Sequence, residues 1–139
     1  MLFWDTSALV PLLVREDRSA DVRAVLRADS DVLTAAITSL EVTSALWRRR
    51  HAGILPLVDQ ERAERIFAQA STRWSEIAQS PEVMEGALRL LARHPLRSLD
   101  ALQLASALIV APAPALLPFV VLDKKLAAAA RAEGFPVLP

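Results

Sequence analysis

The chain has 139 residues, 53% of them hydrophobic and 5% aromatic, with no cysteine and a formal net charge of zero. This fits one domain spanning 1–139 around a single core and excludes a disordered chain, disulfides, thiolate metal sites and a cysteine nucleophile. Neutrality excludes a polycation that holds nucleic acid by bulk attraction, though not a nuclease with local arginines, and the cysteine-free composition fits a reducing cytoplasm.

In chain order, Leu2-Phe3-Trp4 is an apolar run too short for a helix, and Asp5-Thr6-Ser7 closes it, so we read a strand. Ala8 to Val14 reads as a short helix with Pro11 near its first turn. A second helix covers about 19–28, with Val22, Val25 and Leu26 on one face. Val32 to Ala35 is the next strand, followed by a helix from Thr38 to about Ala52 that Gly53 and Pro56 end. Helix resumes near Asp59 and runs towards Trp74, and Glu76 to Gln79 is a short third strand. Pro81 suits the first turn of a helix that stops before Pro95, and Ser98 or Leu99 opens another to about Val110. Phe119 to Leu122 is the clearest strand, Asp123 to Glu133 a helix, and Pro136 to Leu138 a last edge strand.

No charge occurs between Asp100 and Asp123, a stretch long enough to raise the possibility of a membrane span. Pro112, Pro114 and Pro118 divide it into helix, loop and strand, so buried core is expected and the protein is expected to be soluble, with no membrane partner. The first five residues lack the basic start of a signal peptide.

Short apolar strands alternating with helices indicate an α/β domain with a mostly parallel sheet covered on both faces. In such sheets ligands sit beyond the carboxyl ends of the strands. Asp5 and Asp123 follow two strands, Glu41 lies in the first turn of the helix after another, and Asp100 begins a helix with no strand just before it. Singly, each acid has an ordinary structural role. Glu41 stands three residues after Thr38, the spacing of a capping box. Asp100 suits a first turn capped by Ser98, and Asp5 and Asp123 suit N-caps. Capping does not explain four acids at one edge beside central apolar strands. Two carboxylates about 4 Å apart repel by roughly 4 kcal/mol at an effective dielectric of about 20. A hard divalent cation is the usual counter-charge, and metal-assisted phosphodiester hydrolysis is the chemistry such a cluster suits.

These residues carry a resemblance. Asp5-Thr6-Ser7-Ala8-Leu9, Thr38-Ser39-Leu40-Glu41-Val42, Leu99-Asp100-Ala101-Leu102-Gln103-Leu104-Ala105 and Val121-Leu122-Asp123-Lys124-Lys125-Leu126 resemble, in order, the successive motifs of PIN-domain ribonucleases. The similarity is greatest to the VapC-type toxins of toxin–antitoxin pairs. It implies a three-layer α/β/α sandwich with a short, mostly parallel central sheet. It also implies an endoribonuclease dependent on Mg²⁺ or Mn²⁺, a homodimer, and control by a cognate antitoxin. Carried over by position, Asp5, Glu41, Asp100 and Asp123 are the catalytic, metal-binding quartet, and Thr6 or Ser7 helps to hold water or phosphate. Two positions depart from the family pattern: Val121 where Thr is frequent, and Gln103 where His is common. Both predict weaker support for the metal, not its loss.

Arg97, near Asp100, is a candidate for substrate phosphate. Arg48-Arg49-Arg50-His51 is the densest basic run; it could touch RNA phosphates, but most of it is expected to be a solvated helix end favoured by the helix dipole. His51 and His94 lack the pattern of a general base or ligand; Trp47 and Trp74 are expected to pack, as are Leu9, Leu12, Leu13 and Leu46. The alternative to an enzyme is a catalytically weak RNA-binding module that acts by occupancy under a protein partner's control. An aspartyl-phosphate enzyme is disfavoured because Ser7 stands where a second Asp is wanted, and a receiver domain because Asp5 stands alone.

Overall fold

A computed structural model describes residues 1–111 and 113–139. Five short parallel strands form one sheet: β1 (Leu2–Trp4), β2 (Val32–Ala35), β3 (Ser75–Ile77), β4 (Phe119–Val120) and β5 (Val137–Leu138), in the order β3-β2-β1-β4-β5. Between them lie helices α1 (Thr6–Leu13), α2 (Ser19–Ala28), α3 (Thr38–His51), α4 (Leu57–Ser71), α5 (Pro81–Arg93), α6 (Ser98–Val110) and α7 (Lys124–Ala132).

Strand alternation divides the core in two. Leu2, Trp4, Val32 and Val120 face residues of α1 to α4, including Leu9, Val22, Leu46 and Ala63. Phe3, Leu33, Ala35 and Phe119 face α5, α6 and α7, meeting Leu90, Leu104 and Leu126. The result is a three-layer α/β/α sandwich, with Phe119 stacked between Phe3 at 4.8 Å and Phe135 at 5.6 Å between ring centres. The chain runs outward from β1 to β3 on one side, then returns to build β4 and β5 on the other. That reversal opens a crevice beyond the carboxyl ends of β1 and β4, the usual ligand position in such sheets.

Several element boundaries differ from the sequence expectation for identifiable reasons. Asp5 caps α1 by accepting from the Ser7 N–H at 2.8 Å, so the helix begins at Thr6 and Pro11 lies inside it, not in its first turn. β4 ends at Val120: Val121 N–H still bonds to the Leu138 carbonyl of β5, but Leu122 N–H leaves the ladder for the Ser7 hydroxyl. α4 starts two residues before Asp59 and stops at Ser71, with β3 following at Ser75. Gly53 ends α3 as expected: its φ of +73° lets the Ile54 N–H turn back to the Arg49 carbonyl. Of the prolines expected to interrupt the uncharged stretch, Pro114 opens a short 3-10 turn, Pro118 precedes β4, and Pro112 lies outside the described residues. No helix among the described residues is long and apolar enough to cross a membrane.

Candidate metal and phosphodiester site

All four predicted acids line one cleft of about 240 Å³, together with Thr6, Ser7, Arg48, Arg49 and Arg97. β1 delivers Asp5 directly, and the Asp5 N–H is fixed by the Val120 carbonyl at 3.0 Å. Asp123 follows β4 as the N-cap of α7, accepting from the Leu126 N–H at 2.9 Å. Glu41 comes from the first turn of α3 and Asp100 from the first turn of α6.

Ser7 joins the two sheet-derived acids. Its Oγ accepts from the Leu122 and Asp123 N–H groups at 2.9 and 3.1 Å, tying the start of α1 to the start of α7. It thus takes the place of the β1 carbonyl that a longer β4 would have used.

The capping expectations are corrected at two positions. Thr38 is already helical and does not cap α3, and Glu41 does not reach back to its backbone. The Glu41 carboxylate instead accepts from Gln103 Nε2 at 2.5 Å and from the Thr6 hydroxyl at 3.2 Å. Gln103 Nε2 also lies 3.2 Å from Thr6 Oγ1 and 3.3 Å from Thr38 Oγ1. Ser98 likewise is the first residue of α6, not its cap; Asp100 accepts from the Arg97 backbone N–H at 3.3 Å and from Arg97 Nε at 3.1 Å.

Burial and mutual repulsion set the electrostatics. Asp5 is buried, and desolvation, helped by the charges of Glu41 and Asp100, pushes its carboxyl from 3.8 up to about 7 against the lowering effect of the Ser7 hydrogen bonds. Burial also raises Glu41, opposed by its bonds from Gln103 and Thr6 and reinforced by Asp100. Among the described residues no cation lies within ion-pair distance of Asp5 or Glu41. Arg97 is the cation nearest to hand, 3.1 Å from Asp100 and 3.7 Å from Asp123, yet its side chain is 80% exposed.

Hard oxygen donors with uncompensated charge are the chemistry that Mg²⁺ or Mn²⁺ takes. Among the described residues, no three acidic or imidazole side chains sit close enough together to hold an ion as they stand. Glu41 is hydrogen-bonded by Gln103 and Thr6, and Arg97 lies against Asp100. Gln103 is buried behind Glu41, whereas Arg97 stands exposed at the rim.

Arg48 and Arg49 of the basic run reach the cleft instead of lying wholly in solvent at the helix end. The signal was helical phase: Glu41, Ala45, Arg48 and Arg49 fall at i, i+4, i+7 and i+8 and share a face. Arg49 is held by Glu16 at 2.6 Å, whereas Arg48 donates to the Ser44 hydroxyl at 2.7 Å. His94 pairs with Glu133 at 2.6 Å, away from the acids, and Leu9, Leu13 and Leu46 are core. Trp74 packs edge-on against Phe67, while Trp47 is 42% exposed beside His51.

Comparison with known proteins agrees with this architecture. The PIN domain family profile matches residues 2–113. Among solved structures, VapC20 of Mycobacterium tuberculosis, described as a sarcin-ricin loop cleaving toxin, superposes with a TM-score of 0.70 at 22% identity over all of both chains. FitAcB from Neisseria gonorrhoeae gives 0.68 at 17% identity, over all of this chain and 97% of the other. A toxin–antitoxin complex from Klebsiella pneumoniae gives 0.67 at 20% identity, with the same coverage. No curated protein matches in sequence. The profile spans most of the chain, and the parallel sheet flanked by helices accords with it: the chain belongs to the PIN domain family.

Proposed function

We propose that this chain is a metal-dependent endoribonuclease and the toxin of a toxin–antitoxin pair. The observation that carries this reading is the meeting of Asp5, Glu41, Asp100 and Asp123 in one cleft with three arginines. The toxin and toxin–antitoxin descriptions of the similarly folded proteins support it. Asp5, Glu41, Asp100 and Asp123 would hold Mg²⁺ or Mn²⁺. When bound, the ion supplies a water of lowered pKa and stabilises charge on the phosphate.

The chain's own groups perform the rest. Gln103 orients Glu41, Ser7 holds Asp123 in register with Asp5, and Thr6 presents a hydroxyl beside Glu41. Arg97 and Arg48 are the cations at the rim available to the phosphates of RNA. The protein partner is a cognate antitoxin, and the site of action is the cytoplasm. A homodimer has an apolar surface available to it in Met84, Leu88 and Leu91, exposed at i, i+4 and i+7 of α5.

The test is cleavage of purified total RNA with Mg²⁺, Mn²⁺ or EDTA, comparing the wild type with Asp5→Asn and Asp100→Asn. Metal-dependent cleavage that both substitutions abolish is expected; full activity in both removes the proposed site. RNA binding without cleavage under every metal condition would instead support the occupancy reading.

A further inference from the structure

A larger recess, about 540 Å³, adjoins the acid cleft and shares Thr6, Glu41, Arg48, Arg97 and Asp100 with it. Its volume lies in the range of pockets that take small organic groups, roughly 300–1,000 Å³. What distinguishes it is a pair of leucines. Leu40, on α3, is 67% exposed, and Leu99, on α6, is 41% exposed, although each stands one residue from a predicted metal ligand. Neither contributes to either core cluster. Ser44 and Ser98 place a hydroxyl from each helix beside them.

The cations select among occupants. Arg48 lines both the recess and the acid cleft, and among the described residues it has no carboxylate within ion-pair distance. Arg97 also lines both. A group that fills the recess therefore has apolar faces with hydrogen-bonding edges, and carries an anion towards the guanidiniums. A nucleotide has both parts: a base to lie against leucine methyl groups, with edges for Ser44 and Ser98, and a phosphate for Arg48. A purely apolar side chain of a protein would bring Arg48, whose one side-chain partner among the described residues is the neutral Ser44 hydroxyl, no anion.

We propose that the recess between Leu40 and Leu99 is a nucleobase subsite, in which an unstacked base next to the bond being cut lies between the leucines while Arg48 holds its phosphate. The proposal rests on the nuclease reading for its biological setting, but the binding it predicts is measured without cleavage.

The test is titration of the metal-free protein, labelled at its leucine methyl groups for NMR, with AMP, CMP, GMP, UMP and ribose 5-phosphate. At least one mononucleotide is expected to bind about fivefold or more tighter than ribose 5-phosphate, about what removing some 40 Å² of apolar surface from water supplies at roughly 25 cal/mol per Å². It should shift the methyl signals of Leu40 and Leu99. In the Leu40→Ala/Leu99→Ala double variant, whose substitutions are at exposed positions, that preference should fall below about twofold. Arg48→Ala should weaken mononucleotides and ribose 5-phosphate alike. Equal binding of nucleotides and ribose 5-phosphate by the wild type overturns the proposal, as does a preference that survives the double substitution. Absence of RNA cleavage with an intact base preference would remove the nuclease reading and leave the subsite standing.

Discussion

Gln103 donates to the Glu41 carboxylate at 2.5 Å while its own Oε1 is buried with no hydrogen-bond partner. An amide that leaves one atom unsatisfied to direct the other at a carboxylate is placed for orientation more than for stability. Gln103→Leu removes the orphaned oxygen, whose burial costs about 1–3 kcal/mol, at the same time as it removes the donor. Its stability change should thus be small, under about 1 kcal/mol, whereas Mn²⁺ affinity and cleavage should fall about 10–100-fold, as for groups that orient metal ligands. Calorimetric Mn²⁺ titration beside a thermal melt checks the split. A large loss of stability with unchanged affinity would make Gln103 a packing residue.

The raised carboxyl of Asp5 makes stability depend on pH. Because its folded value, about 7, exceeds the 3.8 of the exposed group, the folded chain holds a proton that the unfolded chain has released. Stability from this group is full below about pH 4, declines as pH rises to about 7, and is level above that. The shift corresponds to at most about 4 kcal/mol. Asp5→Asn keeps an acceptor for the Ser7 N–H and removes the buried charge. It should melt higher than the wild type at pH 8, show a shallower slope across pH 4–7, with the raised Glu41 supplying what remains, and have no cleavage activity. Melts of both proteins across that range decide the matter; identical slopes would show that Asp5 is not the titrating group.

Ser7→Ala deletes the acceptor of two backbone N–H groups at the start of α7. A cost of about 1–3 kcal/mol is expected. The local signature is more telling: amide exchange at Leu122 and Asp123 should quicken while α3 and α5 remain protected. Cleavage should fall with it, because Asp123 is then no longer tied to the helix that follows Asp5.

Arg97→Ala should barely affect folding, since the side chain is 80% exposed and such pairs contribute little. It frees Asp100 from its only side-chain cation at hydrogen-bond distance among the described residues. Mn²⁺ should bind tighter to this variant and RNA more weakly, opposite changes that calorimetry and fluorescence anisotropy read separately. Equal weakening of both would place Arg97 outside the site.

Much of this was legible because local signals agreed. Apolar runs alternating with helical stretches defined the layers, and Asp5 and Asp123 could be placed at the sheet edge because strands visibly preceded them. Asp100 could not, since α6 enters the crevice from a turn, and only the fold shows that its first turn reaches the cleft. Strand length at β4 was misjudged because Leu122 is as apolar as its neighbours; a single hydroxyl 115 residues away takes its N–H. Gln103 read as a loss of support for the metal, because a composition-level comparison with His does not show that an amide bridges Thr6, Thr38 and Glu41. Arg48 lies in a basic run at a helix end, and only its phase relative to Glu41 places it at the cleft.

The position of β1 in the middle of the sheet has a consequence for where the polypeptide can be shortened. The family-profile match ends at residue 113, but Phe3 and Asp5 take backbone partners from Pro118 and Val120, and Phe119 lies against the Phe3 ring. A fragment cut at the edge of that similarity would turn the innermost strand into an exposed border with unpaired amides, the kind that templates aggregation. Its inactivity would report a misfolded chain and say nothing of Asp123. Residues 114–139 belong to the cooperative unit that the first strand begins.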